Sequence, residues 1–260
     1  MNTKKIKKII WVINRPHYWE HALSRRFMKL KPRHDINSDM EAATAWAEAN
    51  SVPYHQALRK VGLLGYPEEI DPELLREAVI LSQDVPVKMG GGGDINLLYA
   101  AARLLGARCV VETGVALGWS SLAILAALDS TGVGQLISVD MPYPKRGHDR
   151  WVGAAVPSRL RHRWTLLRRP DRGGVRAALK LCKSGVDLAH YDSDKTWHGR
   201  AYAIPKLWHA LVPGGLLIVD DIQDNLYFKA FVEEVQAPFA ICRRKRKYVG
   251  IARKREVKSN

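Results

Sequence analysis

Cysteine is scarce in this chain: Cys109, Cys182 and Cys242 are the only three in 260 residues, and no two form a CxxC pair. That excludes a zinc ribbon and a dense disulfide framework. The expectation is a reducing compartment, with Cys109 and Cys182 as small buried hydrophobes inside apolar patterns. Long hydrophobic runs are missing as well. The best, Leu122 to Leu128, is far short of the ~18 residues that a bilayer span requires. Internal repeats and low-complexity linkers are also absent. Lysines 4, 5, 7 and 8 precede Ile9-Ile10-Trp11-Val12-Ile13, but Asn14-Arg15-Pro16 interrupts the run and no small-residue cleavage site follows. The start therefore reads as a basic helix or strand, and the chain as cytoplasmic.

What is present is an ordinary globular composition, 47% apolar with a mean hydropathy of −0.22. The formal charge of +15 suggests a polyanion partner until it is located. Residues 1–35 carry ten Lys/Arg against two acids, and residues 242–260 carry nine against one, a net +8 at each end. The intervening 206 residues are close to neutral, with 22 basic and 23 acidic side chains. The positive charge thus belongs to the ends, read as solvated, and nucleic acid is the disfavoured partner.

Residues 1–84 read as a helical extension broken by prolines, with Asp71-Pro72-Glu73 as a helix start. Met89 and four glycines, 90–93, precede a helix over Ile95 to Leu105. From there, apolar runs alternate with helical patterns. Strands are expected at 107–113, 134–140, 164–168, 186–192, 215–220, 239–242 and 248–253, and helices at 117–129, 149–160, 173–183 and 197–211. Continuously apolar runs such as Leu216-Leu217-Ile218-Val219 suit strands covered on both faces, and the alternation implies a mostly parallel sheet with one antiparallel strand near the end. The fold class is therefore α/β, with residues 85–260 as the principal domain.

Ligands of open α/β sheets bind beyond the carboxyl ends of the strands. Here those ends carry Glu112, Asp140, Asp192 and the pair Asp220-Asp221. Gathered like charges repel, so a cationic or hydroxyl-rich ligand belongs among them. The first of these strands continues as Glu112-Thr113-Gly114-Val115-Ala116-Leu117-Gly118-Trp119-Ser120. GxxxG behind an acid differs from the GxGxxG of dinucleotide sites, and a carboxylate there suits an amine and a sulfonium better than a pyrophosphate. A carboxylate at Asp140 suits the two hydroxyls of a ribose.

The segments ETGVALGWSS, ISVDM, LAHYDSDK and LVPGGLLIVDDI together resemble the class I S-adenosylmethionine-dependent methyltransferases. The macrocin O-methyltransferase branch is the nearest in pattern, and the catechol and caffeoyl-CoA O-methyltransferases are more distant. The resemblance implies a Rossmann-like fold with a seven-stranded sheet, and S-adenosylmethionine as methyl donor. It also implies a hydroxyl on a small molecule or sugar as acceptor. By it, Glu112, Gly114, Gly118 and Ser120 hold the methionine end of the donor, Asp192 contacts the donor, Asp140 binds the ribose, and Met141 packs on the adenine. Met89 and Gly90 belong to a loop that closes over the donor. Asp192, Asp220 and Asp221 correspond to ligands of Mg²⁺ or another divalent cation, and Lys195 to a base acting beside Asp192. Asp-Asp replaces the Asp-Asn of the catechol-type pattern, which puts the metal in doubt.

Other residues near these motifs have plainer readings. His190 is read as a core histidine turned away from Asp192, and Asn225 either as a helix cap or as a residue that reaches the acceptor. Trp197 and His198 open a helix beside the site, and Arg168 to Arg172 end a strand toward the adenine. Two rival functions remain. A nucleic-acid methyltransferase lacks its Asn/Asp-Pro-Pro-Tyr/Phe motif here, and a non-catalytic donor-binding regulator would bind donor without turnover. Homo-oligomerisation stays open.

Overall fold

The computed structural model describes residues 10–28, 36–66, 69–91, 93–142, 147–245 and 247–256. Lysines 4–8, Ile9, Gly92 and Arg246 lie outside them. Helices α1 (Pro16–Met28) and α2 (Ile36–Asn50) come first, followed by a two-residue strand β1 (Ser51–Val52), α3 (Tyr54–Lys60) and α4 (Pro72–Gln83). Asp71 caps α4 by accepting the Glu73 N–H at 2.9 Å, with Pro72 in the first turn, as the sequence pattern requires. The alternating part follows: α5 (Ile95–Leu105), β2 (Cys109–Thr113), α6 (Trp119–Thr131), β3 (Gln135–Val139) and β4 (Trp164–Leu167). After it come α7 (Asp171–Leu181), β5 (Val186–Tyr191), α8 (Trp197–Ala210), β6 (Leu211–Val219), α9 (Tyr227–Glu234), β7 (Phe239–Arg244) and β8 (Lys247–Arg253).

These strands form one sheet in the order β1-β7-β8-β6-β5-β2-β3-β4. All pairings are parallel except those of β8, which runs antiparallel between β6 and β7. The sheet has eight strands rather than seven. The additional one is β1, too short to leave a two-residue period in the sequence, and it pairs with the edge strand β7. A second correction concerns 149–160, where two short 3₁₀ turns, Asp149–Trp151 and Ser158–Arg163, replace the expected helix. Gly153, at φ +76°, and Pro157 separate them.

Period-two alternation divides the core. Val110, Leu136, Leu188 and Leu216 pack with α5 and α6 on one face, whereas Val111, Ile137, Ala189 and Leu217 pack with α7 and α8 on the other. Cys109 and Cys182 are not separate buried thiols: they form a disulfide, with Cα atoms 6.2 Å apart. Cys109 starts β2 and Cys182 follows α7, so both lie at the same end of the layer although 73 residues separate them. That proximity is a product of topology. Cys242 is buried and free. No helix among the described residues is long and apolar enough to cross a membrane.

The C-terminal basic residues are used internally. Lys254 Nζ donates to the carbonyls of Trp208, His209 and Leu211, the negative end of α8, and Arg253 donates to Val61, Gly62 and Gly214. The reading of this end as solvated charge is corrected for Arg253 and Lys254, whereas Arg243 is more than half exposed.

Candidate active site

Beyond Thr113 the chain turns at Gly114, whose φ is +83°. A Cβ there would collide with the carbonyl oxygen of Asp192, so only glycine allows the tips of β2 and β5 to approach this closely. The strand tips β2, β3 and β5 open into a cavity of about 960 Å³. Of the residues singled out in the sequence, Gly90, Gly114, Ser120, Asp140, Met141, Asp192 and Lys195 line it. Met89 and Gly118 do not. Gly118 instead begins α6 at φ +91°, where a Cβ would lie 2.9 Å from the Cα of Gly153.

Asp140 is held in place from two sides. Its Oδ1 accepts the Val115 N–H at 2.9 Å, and its Oδ2 pairs with Arg168, which also reaches Asp149 at 2.5 Å. Next to it, Met141 Sδ accepts the Tyr18 hydroxyl at 3.4 Å, which brings α1 onto the cavity. His21 and Ser24 of α1 line it directly. Two further wall carboxyls are perturbed. Burial pushes Asp192 up to about 6, helped by Asp220 and opposed by His190, Lys195 and Lys247. Burial also pushes Asp171 up to about 6, against the hydrogen bond it accepts from Ser193 at 2.5 Å. Asp192 Oδ1 is buried and accepts no hydrogen bond among the described residues.

Glu112 is elsewhere. It is fully buried beneath the cavity, where its Oε2 accepts the hydroxyls of Ser121 at 2.5 Å and Ser138 at 2.7 Å. Its Oε1 faces His190 Nδ1 at 3.5 Å, and His190 Nε2 faces Asp220 Oδ1 at the same distance. The expected donor contact is thus replaced by a structural one. His190 is corrected too: two residues from Asp192 along β5, it shares that residue's side of the sheet. Burial alone would lower its pKa, but Asp220 and Glu112 outweigh that and raise it to about 10, so a buried imidazolium joins two carboxylates.

The three carboxylates expected to share a divalent cation border one small pocket, but cations of the chain already meet them. Asp220 faces His190 and lies under Gly93, where a Cβ would collide with its carboxylate. Asp221, at φ +53°, is clamped by Lys195 and by Lys247, the latter at 2.8 Å. Only Asp192 lines the main cavity. Among the described residues, no cluster of His, Cys, Asp or Glu is arranged to hold a metal ion. The donor set as placed does not fit a metal.

The tip of β6 is fixed by Arg200, a fully buried guanidinium on α8. It donates to the carbonyl of Asp221 at 2.6 Å, that of Asp220 at 3.3 Å and Asn225 Oδ1 at 2.9 Å. Asn225, just ahead of the N-cap Leu226, accepts the Tyr227 N–H at 3.2 Å and donates to the Lys195 carbonyl at 2.9 Å. Of the pair that opens α8, His198 lines the cavity while Trp197 packs edge-on against Tyr227. Sequence reasoning missed Ser24, Ser193, Tyr202 and Lys247. The last was visible only as one charge in a basic run, and its place opposite Asp221 depends on the register of β8 against β6.

Residues 111–222, the strand tips β2 through β6, match the family model of a methyltransferase domain. The match spans 112 of the 260 residues, and it is a similarity to that family. No curated protein matches the chain. Solved structures resemble it in fold at low identity. Cofactor-bound Rv0187 from MTB is 16% identical, covering 79% of this chain and 98% of its own, with a TM-score of 0.56. The O-methyltransferase from Bacillus cereus in complex with SAH is 15% identical, covering 83% and 100%, with a TM-score of 0.54. The O-methyltransferase TomG from Streptomyces achromogenes, in complex with SAM, is 16% identical, covering 80% and 98%, with a TM-score of 0.51. The chain therefore has the Rossmann-like α/β fold that these structures share.

Proposed function

We propose that the chain transfers a methyl group from S-adenosylmethionine to a hydroxyl of a small molecule. The observation that carries the reading is a single cavity walled by Asp140, fixed by the Val115 N–H, and by Asp192, whose Oδ1 lacks a hydrogen-bond partner. Asp140 would take the ribose hydroxyls, Met141 would flank the adenine, and Asp192 would face the cationic methionine end. Gly114 and Ser120 would approach that end closely, and Gly90 would cover it. The segment 1–84 would shape the acceptor pocket through His21 and Ser24.

The donor's sulfonium supplies an activated methyl group, which bonds to the acceptor oxygen as the C–S electron pair returns to sulfur, with one proton released to water. Positioning then accounts for most of the acceleration, up to roughly 7–11 kcal/mol in favourable systems. Lys195 has its ammonium engaged by Asp221 and Asp192. In that state it stabilises negative charge developing on the acceptor oxygen rather than removing the proton.

Calorimetry with S-adenosylmethionine and its demethylated product tests the donor half, and methyl release across a panel of hydroxyl-bearing acceptors tests the transfer. Micromolar binding with turnover on at least one acceptor is expected. Lack of affinity for both nucleosides would overturn the reading, and binding without turnover on any acceptor would favour a donor-binding regulator.

A further inference from the structure

The acidic residues beside the main cavity surround a small pocket of about 20 Å³, lined by Asp94, Asp192, Asp220 and Asp221 together with Arg244 and Lys247. Such a set would ordinarily call for a divalent cation. Here the chain brings its own positive groups. Asp221, only 5% exposed at its side chain, lies between the ammonium groups of Lys195 and Lys247. Asp192 Oδ1 lies 3.5 Å from Lys195, and Asp220 Oδ1 lies 3.5 Å from the imidazolium of His190. Lys195, Lys247, Arg244 and His190 stand among these four carboxylates, with His190 shared with Glu112, so the chain itself supplies most of the countercharge.

The two lysines come from distant parts of the chain. Lys195 sits in the loop after β5, which Asn225 anchors through the Lys195 carbonyl. Lys247 is the first residue of β8, whose antiparallel register on β6 carries it to Asp221. Both line the main cavity as well as contacting Asp221. Their charges therefore face the acceptor space and the acidic tip at once.

We infer that Lys195 and Lys247 form a two-lysine clamp on Asp221, occupying the place where a divalent cation would be expected and excluding one. Lys247 is then a positioning residue of the acceptor half: it holds Asp221, and through Asp221 it holds Lys195. The inference rests on the methyl-transfer reading only for its consequence, a transfer that is indifferent to chelators.

The test is Mn²⁺ binding by the full chain, followed by electron paramagnetic resonance, alongside donor calorimetry with and without EDTA. Wild type should show no specific Mn²⁺ binding, and its donor affinity should be the same with EDTA. The double variant Lys195→Ala/Lys247→Ala leaves Asp192, Asp220 and Asp221 without two of their cations. It should gain Mn²⁺ affinity by at least tenfold, and adding Asp221→Asn should abolish the gain. Should the double variant fail to fold, the milder Lys247→Met should show a smaller gain in the same assay. Stoichiometric Mn²⁺ binding by wild type that Asp221→Asn removes would overturn the clamp, as would folded lysine variants that gain no Mn²⁺ affinity. Absence of donor binding in every condition would sink the methyl-transfer reading while leaving the Mn²⁺ result to stand or fall by itself.

Discussion

The two halves of the active site use the same residue type to opposite ends. On the side proposed to hold the donor, Asp140 and Asp192 face a cavity of about 960 Å³. On the side proposed to hold the acceptor, Asp220 and Asp221 are enclosed and paired with cations drawn from β5, β8 and the loop between β5 and α8. Carboxylates at strand tips therefore mark two different things. Where a carboxylate opens onto the large cavity, a ligand can reach it. Where the chain supplies the partner, it shapes a wall.

The largest effect that would break this division is expected at His190, which connects the halves through Glu112 and Asp220. Truncation in His190→Ala would leave two buried carboxylates facing each other unpaired, and breaking a buried pair in this way costs about 3–5 kcal/mol. Urea unfolding at pH 7 should show it. Because the imidazole pKa is raised from 6.5 to about 10, its stabilising contribution is complete below pH 6.5 and is lost as pH rises through about 10. An unfolding midpoint unchanged by the substitution would mean that the two halves are independent.

The donor half is probed next by Asp140→Asn. A hydrogen bond to a charged group contributes about 1.5–3 kcal/mol, so affinity for S-adenosylmethionine should fall by roughly 10- to 150-fold with little change in the unfolding midpoint. Equal donor affinity in calorimetry would remove Asp140 from the donor site. A smaller, pH-dependent effect sharpens the contrast. Asp192 and Asp171 titrate near 6 and need to be ionised to attract the sulfonium and ammonium. Affinity should be full above about pH 7 and weaken as pH falls through 6, by up to about tenfold per unit for each group. A flat affinity profile between pH 5 and 8 would show that neither carboxylate touches the donor.

Much of the wall of the main cavity was legible in the sequence because its parts are local. Gly114, Ser120, Asp140 and Met141 follow directly from strand ends and the turns after them, and the two-residue and helical periods locate those ends. The parallel sheet and its antiparallel strand were legible for the same reason. The surroundings of the enclosed acids were not. Glu112 reads as a ligand-facing acid until Ser121, Ser138 and His190 are seen to surround it, and these come from three other elements. The Cys109–Cys182 pair, the contact of β1 with β7 and the approach of Lys247 to Asp221 likewise depend on crossovers that no local period reports.

Lys247 and Arg243 stand four positions apart in one basic run, and comparing them gives the smallest prediction. Arg243 pairs with Glu48 at 3.1 Å, but both side chains are more than half exposed, at 54% and 56%. Water and salt screen such a pair, and exposed pairs contribute about 0–1 kcal/mol. Arg243→Ala should therefore change unfolding free energy by about 0.5 kcal/mol or less, leave donor affinity intact and induce no Mn²⁺ binding. Lys247→Met, by contrast, removes a cation from a carboxylate that is 5% exposed, and its signature should be the gain of Mn²⁺ affinity. If Arg243→Ala also induced Mn²⁺ binding, the effect would belong to the summed charge of the hairpin and not to contact with Asp221. The position of a lysine relative to a buried acid, rather than the basic run that contains it, is what assigns the two residues different work.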